Sequence, residues 1–277
     1  YILTVDVGNT FIRFGLFAED SAAAQERPLA TCEITTPTRI TADEARMRLV
    51  QVMGALAADA GVPGVLVPAA AVLSCVVPAL ERPWKAALSR TCTGRVLTVG
   101  PGLKTGMPVH YDDPAEIGPD RIADAVAARA VYGSPCIVID LGTTTNIEVI
   151  DAHGTFVGGV IAPGLALGAR SLSAAAARLP QVEPSAPTHV IGRNTREAMR
   201  SGVVLGEVAR IDGMLDMVLA EMRATKAAGE GDVPIVITGD DAEALAALVG
   251  HSLTVDDALT LRGLAELYHI NQKPRRA

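Results

Sequence analysis

The sequence predicts an α/β protein: two copies of one βββαβαβα unit facing each other across a cleft. Two observations carry that prediction. The first is a repeated hairpin. Cys136-Ile-Val-Ile-Asp-Leu-Gly-Thr-Thr-Thr-Asn-Ile-Glu-Val-Ile-Asp151 sets two apolar runs around a polar turn, and Ile2-Leu-Thr-Val-Asp-Val-Gly-Asn-Thr-Phe-Ile-Arg-Phe-Gly-Leu-Phe17 shows the same parts in the same order. Asp6 aligns with Asp140, Gly8 with Gly142, and Asn9-Thr10 with Thr143-Thr144, nearly half of the chain apart. The second is that each hairpin is followed by the same alternation of strands and helices. A shared turn alone does not repeat Asp, Gly and Thr at one spacing, so the halves read as a duplication.

The residues of the hairpin suggest its chemistry. Ile and Val favour strands, and Asp-x-Gly-(Asn/Thr)-Thr supplies a turn between them. A carboxylate at a strand end can hold a hydrated cation, Gly lets a polyphosphate approach backbone N–H groups, and the Thr hydroxyls can donate to its oxygens. A single copy would pass for an ordinary hairpin turn. Two copies could grip a nucleotide from both sides.

In chain order, a polar loop at 18–28 leads to a strand at 30–34. Thr41-Ala-Asp-Glu44 has the form of a capping box and opens a helix reaching residue 60. A strand at 70–76, a helix at 78–89 with Pro78 in its first turn, and a strand at 95–99 complete the first half. The second half has strands at 136–141, 146–150 and 155–161, then helices at 166–178 and 195–222. A strand at 233–238, a helix at 242–249, a strand at 252–255 and a helix at 259–270 come next, with a polar tail at 271–277 that reads as frayed. The domains are expected at 1–117 and 118–277.

The connector Gly100-Pro-Gly-Leu-Lys-Thr-Gly-Met-Pro-Val109 is too rich in Gly and Pro for regular structure. It leads through Tyr111-Asp-Asp-Pro114 to Gly118-Pro-Asp-Arg121, beyond which Ile122, Ala123, Val126, Ala127, Ala130 and Val131 form one helical face. Asp120 and Arg121 therefore sit at a helix N-terminus. Such a carboxylate is commonly a helix-dipole partner, and the positive end of the helix would also keep it ionised and able to accept a proton.

Composition excludes several classes. Apolar residues make up 49% of the chain and aromatic ones 3%, so the cores are expected to be built from Ala, Val, Leu and Ile. A net charge of −7 with no basic block argues against nucleic acid as a partner. Cys32, Cys75, Cys92 and Cys136 are too scattered for a zinc site or a disulfide framework. With no apolar run long enough for a membrane span and a strand at the very start, a cytoplasmic protein is expected.

Six segments together resemble the type III pantothenate kinases, a family of the acetate and sugar kinase, heat-shock chaperone and actin superfamily. They are Asp6-Val-Gly-Asn-Thr10, Ser74-Cys-Val-Val-Pro78, Gly118-Pro-Asp-Arg121, Asp140-Leu-Gly-Thr-Thr144, Gly158-Gly-Val-Ile-Ala-Pro-Gly164 and Ile191-Gly-Arg-Asn-Thr195, and they span essentially the whole chain. The resemblance implies duplicated actin-like, ribonuclease H-like domains. It also implies transfer of the γ-phosphoryl group of ATP to pantothenate, the first step towards coenzyme A. By that resemblance Asp6, Val7, Gly8, Asn9, Thr10, Phe11, Ile12 and Arg13 form the first phosphate loop, with Asp6 near Mg²⁺. Thr143 contacts ATP, and Asp140 binds a monovalent cation, K⁺ or NH₄⁺. Asp120 is the proton acceptor. Tyr111, Gly118, Pro119, Asp120, Arg121 and Thr195 hold pantothenate, Thr195 from the neighbouring subunit of a homodimer.

The chain departs from the family pattern at three places. Pro119 replaces the usual Ala, Asn146 and Glu148 replace Thr and Asp, and Thr238-Gly239-Asp240-Asp241 replaces Thr-Gly-Gly beside the adenosine. A carboxylate in that last segment could repel nucleotide. A non-catalytic binding or regulatory protein of the same fold, or a kinase for another small hydroxylated metabolite, therefore stays open at the sequence level. The dimer has a sequence argument of its own. Val203, Val204, Val208, Ile211, Leu215 and Val218 give the helix at 195–222 more apolar surface than one sheet face readily covers.

Overall fold

The computed structural model describes residues 1–19 and 25–272; part of the predicted loop at 18–28 and most of the predicted frayed tail lie outside the described residues. The chain forms two compact units, Tyr1–Val131 with Ala258–Ala277, and Tyr132–Asp257.

In the first unit β1 (Ile2–Val7), β2 (Phe11–Phe17), β3 (Ala30–Thr35), β4 (Ala70–Cys75) and β5 (Val96–Thr98) make one sheet in the order β3-β2-β1-β4-β5. β2 runs antiparallel to β1 and β3, whereas β4 and β5 run parallel to β1. The second unit repeats the plan with β6 (Cys136–Leu141), β7 (Thr144–Ile150), β8 (Phe156–Pro163), β9 (Ile235–Gly239) and β10 (Thr254–Val255), in the order β8-β7-β6-β9-β10. Again only the second strand is antiparallel to the rest. Equal order and equal polarity in both sheets establish the duplication inferred from the hairpins.

Alternation along β1 sorts its side chains between the faces of the sheet. Leu3, Val5 and Val7 enter the core beneath α1 (Ala42–Asp59) and α2 (Pro78–Thr91), where Trp84 meets Phe14 edge-on at 5.7 Å. Four of the nine aromatic residues are core anchors: Phe14, Phe17, Trp84 and Phe156 are all fully buried. The capping box at α1 forms, with Glu44 N–H donating to Thr41 Oγ1 at 3.3 Å and Thr41 N–H donating to Glu44 Oε2 at 2.8 Å.

Two features differ from the expected organisation. The units divide at Val131/Tyr132 rather than at 117/118, because α3 (Pro119–Tyr132) lies almost wholly in the first unit and α8 (Leu259–Ile270) returns to it. Leu261 and Ala265 of α8 bury Ile2 and Phe17, and Gly263 crosses α3 so closely that a Cβ there would lie 1.9 Å from the Ala123 carbonyl oxygen. Only long-range packing reveals that return.

The predicted helix at 195–222 is also divided. α4 (Leu165–Ala175) is followed by α5 (Thr195–Arg200), a π turn at Ser201–Leu205, α6 (Gly206–Ala224) and α7 (Ala242–Ala246). The apolar stripe that argued for a dimer is covered within the unit. Val204, Val208, Ile211 and Leu215 join Ile137, Ile139 and Leu141 in the second core, Val203 is 9% exposed, and Val218 packs at the margin. The stripe therefore gives no support to self-association. Among the described residues no helix is long and apolar enough to cross a membrane.

Candidate active site

Sheet register builds the first half of the site. At the exit of β1, Asp6 pairs across the sheet with Arg13 on β2 and with Ser74 on β4. Asp6 is 8% exposed, and its Oδ1 is buried without a hydrogen-bond partner, as is Ser74 Oγ. Ser74 lies near enough to favour the ionised carboxyl, but no hydrogen bond of full geometry joins the pair. Burial dominates, the charge of Asp120 adds to it, and Ser74 and Arg13 only partly offset them, so the Asp6 pKa rises to about 6.

The turn after Asp6 is tied down by its backbone. Gly8 N–H donates to the Phe11 carbonyl at 3.0 Å, the Thr36 hydroxyl donates to the Gly8 carbonyl at 2.7 Å, and Thr36 N–H donates to the Thr10 carbonyl at 2.9 Å. Asn9 and Thr10 are exposed at its tip. Arg13 is held by Glu33 at 3.0 Å and lies 5.9 Å from the Phe11 ring centre. Of the block 6–13, Val7 and Ile12 are fully buried core residues, so only their backbone can meet a ligand.

The second half of the first unit's site is the start of α3. Asp120 Oδ1 accepts the Arg121 N–H at 2.8 Å, and a Cβ on Gly118 would lie 2.4 Å from the same oxygen. Gly118 thus leaves the room in which the carboxylate sits. Burial raises the Asp120 pKa against the opposing pull of those N–H groups and of Arg121, which makes it a stronger proton acceptor than an exposed Asp. Arg121 itself is buried. Alongside, Cys75, Val99, Leu103, Val109, Ile117 and Ile122 help to line a cavity of about 330 Å³ that reaches Pro119. Tyr111 is half-buried in the preceding loop.

The second unit places its own carboxylate in the equivalent way. Asp140 pairs with Asn146 on β7 and Thr238 on β9, and Asn146 Nδ2 donates to Asp140 Oδ2 at 3.5 Å. Its turn is closed by Gly142 N–H to the Thr144 carbonyl at 2.9 Å and backed by Gly164, whose N–H donates to the Thr143 carbonyl at 3.1 Å. A Cβ on Gly164 would lie 2.2 Å from the Gly142 carbonyl oxygen. Thr143 is half-buried in this turn, while Thr195 opens α5 and is exposed.

The unusual segment 238–241 is accommodated. Gly239, at φ 90°, is the residue that cannot change, since a Cβ would lie 2.1 Å from the Leu141 carbonyl oxygen and 2.8 Å from Asp140 Oδ1. Asp240, which stands where the family has its second Gly, has no positive φ, and its N–H donates to the Leu141 carbonyl at 2.6 Å. Ser74, Gly164 and Gly239 are positions at the candidate site that residue-by-residue reading missed. All three lie within segments already noticed, but only strand register and close approach give them a task.

Among the described residues no group of three or more His, Cys, Asp and Glu could hold a metal ion. The buried, unpartnered Asp6 oxygen facing the charge of Asp120 is a place where a cation would relieve both.

This burial has a consequence for stability. Below about pH 4 Asp6 keeps its proton in folded and unfolded chains alike. As the pH rises to about 6 the unfolded chain ionises first and stability falls; above that the loss is complete, about 3 kcal/mol. Without nucleotide, Asp6→Asn is therefore expected to exceed the wild type in stability by up to about 3 kcal/mol at neutral pH and to match it near pH 4. Paired urea titrations check this. Identical curves at both pH values would show that the fold does not perturb the Asp6 carboxyl.

Comparison with known proteins gives this geometry a family. A family model for type III pantothenate kinase matches residues 2–217. The type III pantothenate kinase of Nocardia farcinica is 40% identical over 285 residues, 99% of each chain, and that of Koribacter versatilis is 38% identical over 281 residues, 99% of this chain and 97% of its own. Among solved structures, a Baf family protein of Campylobacter jejuni superposes with a TM-score of 0.57 at 18% identity, covering 97% of this chain and 98% of its own. The ethanolamine utilization protein EutJ of Carboxydothermus hydrogenoformans gives 0.53 at 16%, covering 95% and 88%. These two show a shared fold. The sequence matches, nearly end to end, show that the chain belongs to the type III pantothenate kinase family.

Proposed function

We propose that the protein transfers the γ-phosphoryl group of ATP to the primary hydroxyl of pantothenate, giving 4′-phosphopantothenate for coenzyme A synthesis. The observation that carries the reading is Asp120, seated against Gly118 at the start of α3 with a raised pKa and within electrostatic reach of Asp6. In the step itself, Asp120 accepts the hydroxyl proton as the hydroxyl oxygen bonds to the γ-phosphorus. The bond from that phosphorus to the bridging oxygen breaks, and ADP leaves. Phosphoryl transfer asks mainly for positioning and charge neutralisation, so a carboxylate is a sufficient base.

The remaining roles divide by residue. Asn9 and Thr10 in the first turn and Thr143 in the second offer polar groups to phosphate, while Gly8 and Gly142, whose N–H groups close their own turns, let the phosphate approach the backbone. Asp6 would hold Mg²⁺ through water, and Asp140 a K⁺ or NH₄⁺ ion; such cations supply the neutralising charge that a protein of net charge −7 needs for two anionic substrates. Tyr111, Arg121 and Thr195 orient pantothenate. The apolar lining of the neighbouring cavity suits its dimethyl end.

The decisive test is mass spectrometry of 4′-phosphopantothenate formed with ATP, Mg²⁺ and K⁺; folded protein that makes none would refute the reading. Asp120→Asn is expected to lower kcat by about 10²- to 10⁴-fold with little change in ATP binding. Wild-type turnover in that variant would leave Asp120 as a helix-end charge only. Activation by K⁺ is expected to vanish in Asp140→Ala. Its persistence would place the ion elsewhere.

We extend the proposal to a homodimer, on a different surface from the buried stripe of α6. Val190 and Ile191 are 73% and 83% exposed and lead into α5, whose first residue is Thr195. Ile191→Lys is expected to shift sedimentation equilibrium towards monomer and to raise KM for pantothenate. A wild-type chain that is monomeric at micromolar concentration and fully active would overturn the dimer and the shared pocket together.

A further inference from the structure

Inside the second unit, a chain of polar contacts links the start of α6 to the second phosphate turn. Thr145 and Glu207 are 3% and 4% exposed. Thr145 Oγ1 donates to Glu207 Oε1 at 2.6 Å, and the other carboxylate oxygen pairs with the Arg210 guanidinium one helical turn along. The same guanidinium donates to the Pro163 carbonyl at 2.5 Å. Pro163 stands opposite Thr144 in the β7–β8 ladder, and the next residue, Gly164, donates to the Thr143 carbonyl at 3.1 Å. One helix thus grips the strand that leaves the turn, through Thr145, and the strand beside it, through Pro163.

Stability alone does not call for this arrangement. A buried ion pair gives up hydration that an apolar side chain of similar size would not need, so it is often no more stable than a packed Leu or Met. The π turn at Ser201–Leu205 points the same way. One residue added to a helix rotates the next turns by about 100°, and such insertions recur at functional sites. Here it sets which side chains of α6 meet the sheet.

We propose that Glu207 and Arg210 are positioning residues that fix the second turn, 142–144, for nucleotide phosphate; this rests on the kinase reading, which has that turn contact ATP. N–H groups aimed at phosphate tolerate little displacement, so freeing the turn weakens nucleotide binding. The acceptor groups on α3 belong to the first unit and keep their geometry. The substitutions free the turn and leave the helix that Thr195 opens in place, so the effect falls first on nucleotide and little on pantothenate.

The test is calorimetric titration of the full chain with ATP and Mg²⁺, alongside KM values for both substrates. Glu207→Ala is expected to weaken ATP binding roughly 10-fold or more, and Thr145→Val, which keeps the shape and removes one hydrogen bond, less. Glu207→Gln, able to accept from Thr145 but without charge for Arg210, is expected to fall between, and KM for pantothenate is expected to hold within about twofold throughout. Thr145 and Arg210 are joined through Glu207, so Thr145→Val with Arg210→Met is expected to lose less than the product of the single losses. If Glu207→Ala fails to fold, the Thr145 and Arg210 variants and their coupling decide. Folded variants that bind ATP like the wild type, or whose losses simply multiply, overturn the brace alone. Wild-type protein that binds no ATP overturns the kinase reading, and the brace with it.

Discussion

The candidate site depends first on the pairing of β1 with its two neighbours. Parallel β4 puts Ser74 beside Asp6, and antiparallel β2 puts Arg13 on the other side. Because side chains alternate, the register that sends Leu3, Val5 and Val7 into the first core sends Thr4 and Asp6 to the opposite face. A slip of one residue would carry Asp6 into the core with Leu49 and Trp84, so hydrophobic burial on one face enforces the chemistry on the other. The polar residue is placed by its apolar neighbours.

The second unit uses the same register with different occupants. Where Asp6 stands between Ser74 and Arg13, Asp140 stands between Thr238 and Asn146. Arg13 brings a full positive charge, held in turn by Glu33, whereas Asn146 brings only an amide dipole. The first carboxylate thus sits near both a countercharge and a second acid, Asp120. The second meets an uncharged donor at the matching cross-strand position. Duplication supplied the frame, and divergence at one cross-strand position separated the electrostatics of the two turns.

Distance along the chain decides what could be read from the sequence. Hairpins, caps and amphipathic helices are local, so the two Asp-x-Gly turns, the capping box at Thr41 and the start of α3 at Pro119 were legible from neighbouring residues. The return of α8 was not, because its signal is the absence of a Cβ at Gly263 against Ala123, two positions far apart in sequence. The apolar stripe of α6 misled for a related reason. Counting Val and Ile measures how much surface wants covering but not what covers it, and Ile137, Ile139 and Leu141 do so from within the unit. The π turn left no mark at all in the apolar periodicity.

The segment 238–241 shows how close approach, rather than motif identity, decides which substitutions a site tolerates. Read as a string, Thr-Gly-Asp-Asp breaks the pattern at its second glycine and invites the idea of a lost nucleotide site. Read as backbone, only Gly239 combines a positive φ with contacts a side chain would violate, against Leu141 and the Asp140 carboxylate itself. Asp240 needs no special conformation, and Asp241 bears the left-handed one at φ 57°, a region that Asp enters more readily than most residues. The change thus alters charge near the second turn and leaves its shape intact.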